Sequence, residues 1–368
     1  MKVDLPAGSP APAGAGRLAM AAESLGLDGI WLAETEHEPF VLAALALAAT
    51  ARIEVGTGIA VAFARSPIVL AQAAFDLAAL SGGRFHLGLG TQVRAHVERR
   101  FGMSWTAPAP RLAEWIAAIR AAWATWQDGA LFRVRSEHLD LSLMPSFFSP
   151  PPLGFEPHPG RPRIPLSLAG VGPGLAHLAG RVADGFQVHP FHTARYLAEV
   201  LEPALDRDGA GSAGREAEGG GAQPLAGPRP SARGPRADPR IERIVPVLLA
   251  PTDDPGTLEQ VRARIAFYAS TPSYRAVLEL HGRGHVGERL GRLAVAGRWD
   301  EMAALVDDEL LALVAVVGPA DALPDALAAR VEGHADRVLP ILPFEPDSAG
   351  ALPNARAWER LIGTLRAL

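Results

Sequence analysis

The sequence predicts an α/β fold, a closed (β/α)8 TIM barrel with insertions. Three observations carry that reading. Short β-branched and apolar runs, eight in all, alternate with helical stretches, the rhythm of a parallel sheet with right-handed crossovers. The stretch from Ile53 to Gly90 shows the unit plainly, as strand, loop, helix, turn and strand. A length of 368 residues suits one barrel with insertions, so the chain 1–368 reads as a single domain. An open doubly wound sheet is the alternative.

Taken in order, Val3–Leu5 is a short first strand followed by a Pro/Gly/Ala turn. Gly16–Leu25 is a helix closed by Gly26, and Asp28-Gly29 turns into a strand over Ile30–Ala33. After Glu34-Thr35-Glu36-His37 comes a helix over Pro39–Thr50, apolar nearly all round and therefore buried. In the central unit Ser66 suits an N-cap and Pro67 the first helical position, where a missing N–H costs nothing. Gly82-Gly83 ends that helix, and Phe85–Leu89 opens the next strand. Gly56, Gly58, Gly88 and Gly90 are odd for plain scaffold. A strand glycine marks a bulge, a bend or a close backbone approach. Past a polar helical segment, Thr91–Phe101, the stretch Arg111–Trp126 places Leu112, Trp115, Ile116, Ile119, Trp123 and Trp126 at helical spacing, one inward face.

Regular pattern lapses over 127–163, where Met144, Phe147 and Phe148 suggest the wall or lid of a substrate pocket. It resumes with a strand over Ile164–Ala169, the Gly170–Gly174 turn, a helix over Leu175–Arg181 and a strand over Gly185–Val188. His189-Pro190-Phe191-His192 follows, and Thr193 caps a helix over Ala194–Leu205. The segment 209–240 is rich in Gly, Ala, Pro, Ser and Arg with almost no bulky apolar residue, so it reads as a flexible insertion. Beyond it come a strand over Ile244–Leu249, a helix over Pro255–Ala269, a helical insertion at 286–311 and a helix over Pro319–Val331. Strand Val338–Leu342 and a helix near Ala355–Leu365 complete the count.

Composition narrows the function. Net charge is −5, which gives no basis for a nucleic-acid partner. Cysteine is absent, which excludes disulfides, thiolate metal sites and thiol nucleophiles. No signal-peptide core and no run of about 18 apolar residues occurs, so a soluble cytoplasmic protein without a membrane partner is expected. Lys2 is the only lysine, which argues against a Schiff-base aldolase.

Ligands of α/β barrels bind at the C-terminal ends of the strands. Glu36 and His37 follow the second strand there, and a neutral imidazole at that rim can act as acid, base or donor to a cofactor ring. The alternative is a capping carboxylate beside a structural histidine. Gly170-Val171-Gly172-Pro173-Gly174 joins a strand to a helix N-terminus, whose free N–H groups and dipole favour an anion such as a phosphate. It lacks the Rossmann spacing, and the chain has no P-loop lysine. Arg94 stands four residues past Gly90, within reach of an anionic ligand at the rim. His189 and His192 follow the sixth strand, and His189 is counted with the cofactor-binding positions. No His-x-x-x-His or carboxylate spacing supports a metal site, so none is expected.

Several stretches together resemble the bacterial luciferase-like monooxygenase superfamily, in particular its branch using the deazaflavin coenzyme F420. They are Ile30 to His37, the Ser81–Gly90 run, Glu98-Arg99-Arg100-Phe101-Gly102, and Ala169–Gly174 with Ala183-Asp184-Gly185. The resemblance spans about Gly14 to Leu342. It implies a barrel with the deazaflavin in its C-terminal mouth and hydride transfer at ring carbon C5 between the cofactor and a small organic substrate. His37 then matches the histidine after strand two, and Glu36 takes the place of its acidic neighbour. Gly58-Ile59 falls where relatives carry a non-prolyl cis peptide behind the ring, and Gly90-Thr91 at a phosphate-proximal turn. Gly172 and Gly174 match the phosphate-binding turn. Two departures stand out: Glu36 replaces the aspartate of sugar-phosphate members, and Gln92-Val93 replaces a Gly-Glu carrying a general acid. FMN in place of F420, or a non-redox barrel enzyme on a phosphorylated substrate, are the alternatives. A homodimer is compatible with the resemblance.

Overall fold

The computed structural model describes residues 1–157, 161–206, 241–343, 345–346, 351–352 and 355–368. The 209–240 insertion read from the sequence lies outside the described residues.

Each strand of the barrel feeds a helix that packs on its outside, as the alternating patterns require. β1 (Lys2–Gly8) leads to α1 (Pro12–Ser24), and β2 (Gly29–Leu32) to α2 (Pro39–Ala49). β3 (Glu54–Thr57) continues past a bulge as β4 (Ala60–Val61), then α3 (Pro67–Ser81) and β5 (Phe85–Gly90) follow. After α4 (Arg94–Arg99) and α5 (Pro108–Asp128) a small antiparallel hairpin, β6 (Val134–Arg135) with β7 (Asp140–Leu141), interrupts the stretch read as irregular. β8 (Leu166–Gly170), α6 (Pro173–Val182) and β9 (Gly185–Val188) restore the rhythm.

A helical stretch follows, α7 (Ala194–Tyr196), a π-helical turn over Leu197–Leu201 and α8 (Glu202–Leu205). β10 (Glu242–Pro251) then opens the last third, with α9 (Pro255–Ala269), α10 (Arg275–Glu279), α11 (Gly284–Val295) and α12 (Asp308–Val314). β11 (Val316–Gly318), α13 (Leu323–Val331), β12 (Arg337–Ile341) and α14 (Ala355–Arg366) end it.

Eight parallel strands, β1, β2, β3, β5, β8, β9, β10 and β12, close into a barrel, with Ile244 of β10 opposite Gln187 of β9 and Val338 of β12 opposite Val3 of β1. These are the eight strands read from the sequence. Among the described residues, the unforeseen β11 pairs only with the outer end of β10, Leu249–Pro251, and takes residues just ahead of the helix expected from Pro319. Its three residues are too short a run to register as a strand on periodicity.

Caps appear where the sequence signalled them. Ser66 accepts the Val69 N–H, and Gly82 closes α3 in the left-handed conformation. The interior is packed so closely that two strand glycines admit no side chain. A Cβ on Gly88 would lie 1.9 Å from the Thr57 carbonyl oxygen, and one on Gly56 2.5 Å from the Trp31 ring. Protein atoms, not a ligand, account for these two.

Below that layer, at the pole where strands begin, Arg337 is fully buried. It pairs with Asp4 at 2.7 Å and Glu242 at 2.9 Å and also grips Glu54. The Trp31 Nε1–H donates to Asp4 at 2.8 Å. With the strand-start pole filled by this network, the strand-end pole is the one left for chemistry.

Candidate active site

The mouth of the barrel is built from the residues that immediately follow the strands. After β3, Gly58 donates its N–H to the Leu32 carbonyl at 2.8 Å, and the Gly58–Ile59 peptide is cis. Ile59 then turns its side chain onto the next strand. A Cβ on Gly90 would sit 2.8 Å from Ile59 Cδ1, so only glycine leaves room for it. The Ile59 carbonyl accepts the Glu34 N–H at 3.1 Å, and the Glu34 carboxylate accepts the Val61 N–H at 2.7 Å. Glu34 thus spans the Ile59–Val61 wall from the loop after β2.

That loop carries Glu36 and His37. Glu36 is exposed and His37 half-buried. The His37 N–H donates to Ser9 Oγ, just past β1, at 3.0 Å. Arg65 holds both ends of the loop: its guanidinium reaches Glu34 at 2.8 and 2.9 Å and Glu38 at 2.7 Å. Burial opposes a charge on Arg65, but the hydrogen bonds and charges of Glu34 and Glu38 raise its pKa above the ordinary value.

After β5, Thr91 is buried, and its hydroxyl donates to the Gln92 carbonyl at 3.3 Å. Gln92 takes a left-handed φ of 59°, unusual for a side chain of its size, and its own Oε1 accepts the Val93 N–H at 3.0 Å. Arg94 is not gathered into this turn. Its side chain is 70% exposed and pairs with Glu98 at 2.9 Å. Arg100, the C-cap of α4, reaches back to the Thr35 carbonyl and ties the helix to the His37 loop.

After β8, Val171 is buried and Gly172 serves as the N-cap of α6 with no side-chain cap on the first turn. Pro173 fills the first helical position. Nothing stands within 4 Å of where a Cβ on Gly172 or Gly174 would be, whereas one on Gly170 would strike Leu175. A helix N-terminus with no side-chain cap, beside two glycines whose Cβ positions are open, is a setting that accepts an anion.

His189, after β9, donates its N–H to the Gly170 carbonyl at 3.3 Å, and its ring packs against Tyr268 and Tyr274 at 4.8 and 4.5 Å. Burial, with the neighbouring His192, pushes its pKa down to about 3, so the ring is neutral at physiological pH. Nδ1 accepts the Phe191 N–H at 3.1 Å, which leaves the proton on Nε2 as a donor. His192 is likewise neutral, its pKa lowered by burial to about 4, and its Nε2 bonds the Pro246 carbonyl at 2.9 Å.

Glu34, Arg65, Tyr268 and Tyr274 escaped the sequence reading. Glu34 is one of two glutamates in Glu34-Thr35-Glu36, and Arg65 a lone arginine before a capping serine; neither spacing marks chemistry. Among the described residues, Glu114, Glu137 and His138 bring ligand atoms within 4.8 Å of one another. They lie on α5 and the hairpin turn, where the Glu114 carboxylate already bonds Ser136 and His138. No helix among the described residues is long and apolar enough to cross a membrane.

The comparisons with known proteins agree with the barrel fold. A family model for luciferase-like monooxygenases matches residues 2–337. A protein of Mycobacterium tuberculosis named only as uncharacterised is 42% identical over 327 residues, 88% of each chain. The F420-dependent glucose-6-phosphate dehydrogenase of Kineococcus radiotolerans is 27% identical over 338 residues, covering 89% of this chain and 85% of that one. Among solved structures, the coenzyme F420-dependent tetrahydromethanopterin reductase of Methanopyrus kandleri superposes with a TM-score of 0.71 at 18% identity, covering 100% and 98% of the two chains. The oxygenating constituent of 3,6-diketocamphane monooxygenase of Pseudomonas putida, in complex with FMN, gives 0.60 at 16% identity, covering 99% and 98%. At these identities the structures speak for the fold.

Proposed function

The chain belongs to the luciferase-like monooxygenase family, and from that premise we propose that it is an oxidoreductase transferring a hydride between the deazaflavin F420 and a small organic substrate. The observation that carries this reading is the strand-end mouth itself. An anion-accepting turn at Gly172–Gly174 and the Ile59 wall open on the same rim, the two ends that a phosphate-bearing tricyclic cofactor requires. Sequence relatives named for F420 support the cofactor class.

The residues present fit the group. The space in front of Gly172 and Gly174 would admit a phosphate, and Gly90 and Ile59 together form an apolar surface suited to a ring. When bound, the deazaflavin supplies hydride chemistry at C5. His37, fixed through its backbone to Ser9, offers an imidazole that holds or moves a proton at the substrate. His189 is neutral and donates from Nε2; it contributes a hydrogen bond and no charge. Arg94 and Arg99, exposed beyond the rim, would meet the anionic tail of F420 as rim charges.

Backbone hydrogen exchange with and without F420 tests the reading. The expected result is added protection over 33–37, 58–61, 90–93 and 170–175, with the strand-start pole unchanged. Protection confined elsewhere, or none at saturating F420, would overturn it. Protection by FMN alone would move the protein to the flavin-dependent part of the family.

A further inference from the structure

A single guanidinium closes the loop on which His37 stands. Arg65 donates to both carboxylate oxygens of Glu34, at 2.8 and 2.9 Å, and through Nη2 to Glu38 at 2.7 Å. Glu34 and Glu38 are the first and last residues of the five that carry Glu36 and His37. The same Glu34 carboxylate accepts the Val61 N–H, and its backbone N–H meets the Ile59 carbonyl. Glu38 in turn caps α2 by accepting the Val41 N–H at 2.8 Å. Arg65 is held from behind: its carbonyl accepts the Trp115 indole N–H at 3.1 Å, and its guanidinium lies 5.4 Å from the Phe40 ring centre. The Arg65 and Glu34 side chains are only 17% and 7% exposed, so water does not screen the pair away.

We infer that Arg65 is a positioning residue, setting the place of His37 relative to the Ile59–Val61 wall by gripping Glu34 and Glu38 together. Its functional consequence rests on the reading of the mouth as a cofactor site; the mechanical claim does not. Lysine cannot replace it. An ammonium is a point charge, whereas the planar fork of arginine reaches two carboxylates in fixed directions.

The first arm of the test needs no cofactor. In Arg65→Lys, amide exchange at His37 and Val61 should quicken together by tenfold or more, while β5 and β12 keep their protection. In Arg65→Ala, millimolar guanidinium should restore much of that protection and an equal concentration of sodium chloride should not. The milder Glu38→Gln variant, whose single amide oxygen can serve the α2 cap or Arg65 but not both, weakens the far grip, should loosen His37 more than Val61 and serves if the Arg65 variants do not fold. Unchanged exchange at His37 in variants that fold would overturn the inference.

The second arm uses F420 as the probe and reads its affinity and bound fluorescence. Arg65→Lys should alter both, and should alter them far less in a His37→Ala background, because the effect passes through His37. Equal effects in both backgrounds would show that Arg65 does not act through His37. Failure of the wild-type protein to bind F420 would instead overturn the cofactor reading, with the first arm still deciding the role of Arg65.

Discussion

Thr57 and Gly88 exchange two hydrogen bonds across neighbouring strands: the Thr57 hydroxyl donates to the Gly88 carbonyl at 2.7 Å and accepts the Gly88 N–H at 2.8 Å. Gln187 completes the layer by donating to the Thr57 carbonyl at 3.0 Å and to Ser167 Oγ at 2.7 Å. A Cβ on Gly88 would lie 2.1 Å from the Gln187 Nε2 and closer still to the Thr57 carbonyl. The Thr57 carbonyl is backbone, and the Gln187 amide is held by its own two hydrogen bonds, so neither gives way cheaply. Gly88→Ala should therefore destabilise the fold by about 3 kcal/mol through overpacking. Urea denaturation of the two proteins measures it, and a loss below about 0.5 kcal/mol would show a looser interior than described.

Arg337 is the keystone of the strand-start pole. Replacing it with Met would leave the Asp4 carboxylate, itself fully buried, without its cation and would remove the partner of Glu242, while Glu54 keeps Lys2 and Arg161. Removal of one partner from a buried ion pair costs about 3–5 kcal/mol. Arg337→Met should lose stability on that scale, whereas Arg94→Ala, which breaks only an exposed pair, should lose about 0.5 kcal/mol or less.

Three buried histidines make stability fall in acid. Neither ring nitrogen of His86 has a hydrogen bond among the described residues, and burial, then the charges of Arg161 and Lys2, hold its pKa well below 6.5. His189 and His192 lie at about 3 and about 4. In the unfolded chain all three titrate near 6.5. Above that pH both states are neutral and these groups contribute no slope. Below it the unfolded chain takes protons that the folded one refuses, so each histidine removes up to about 1.4 kcal/mol per pH unit until its folded pKa is reached. Unfolding free energy measured from pH 7 to pH 5 should fall with that slope, and His86→Phe should fall less steeply.

Gly172→Asp separates helix stability from ligand binding. Gly172 has φ −95° and ψ 162°, which an aspartate adopts freely, and open space awaits its side chain. As an N-cap it should leave the melting temperature equal or slightly higher. Its carboxylate would occupy the anion position, so F420 affinity should drop by more than tenfold. Retained affinity would place the phosphate elsewhere.

The eight barrel strands were legible because they are local, each a run of apolar residues between turn signals. Two glycines in one strand marked a bulge, but the cis bond at Gly58–Ile59 was implied only by the resemblance to the luciferase-like family. The partners that hold the mouth were not legible. Glu34 and Arg65 stand 31 residues apart, and Asp4 and Arg337 stand 333 apart, so no spacing rule links them. Arg94, read from its place just past Gly90, stands exposed at the outer edge of the rim and pairs with Glu98, a neighbour on its own helix.

The affinity of the purified protein for F420 against FMN, followed by fluorescence at low and at high salt, tests the central claim most directly. Both carry a tricyclic ring and a phosphate, and only F420 carries a glutamate tail that can meet arginines beyond the rim. Tighter binding of F420 at low salt is the predicted result, with the gap narrowing as salt screens the exposed tail contacts. Equal affinities, tighter FMN binding, or no binding of either cofactor would contradict it.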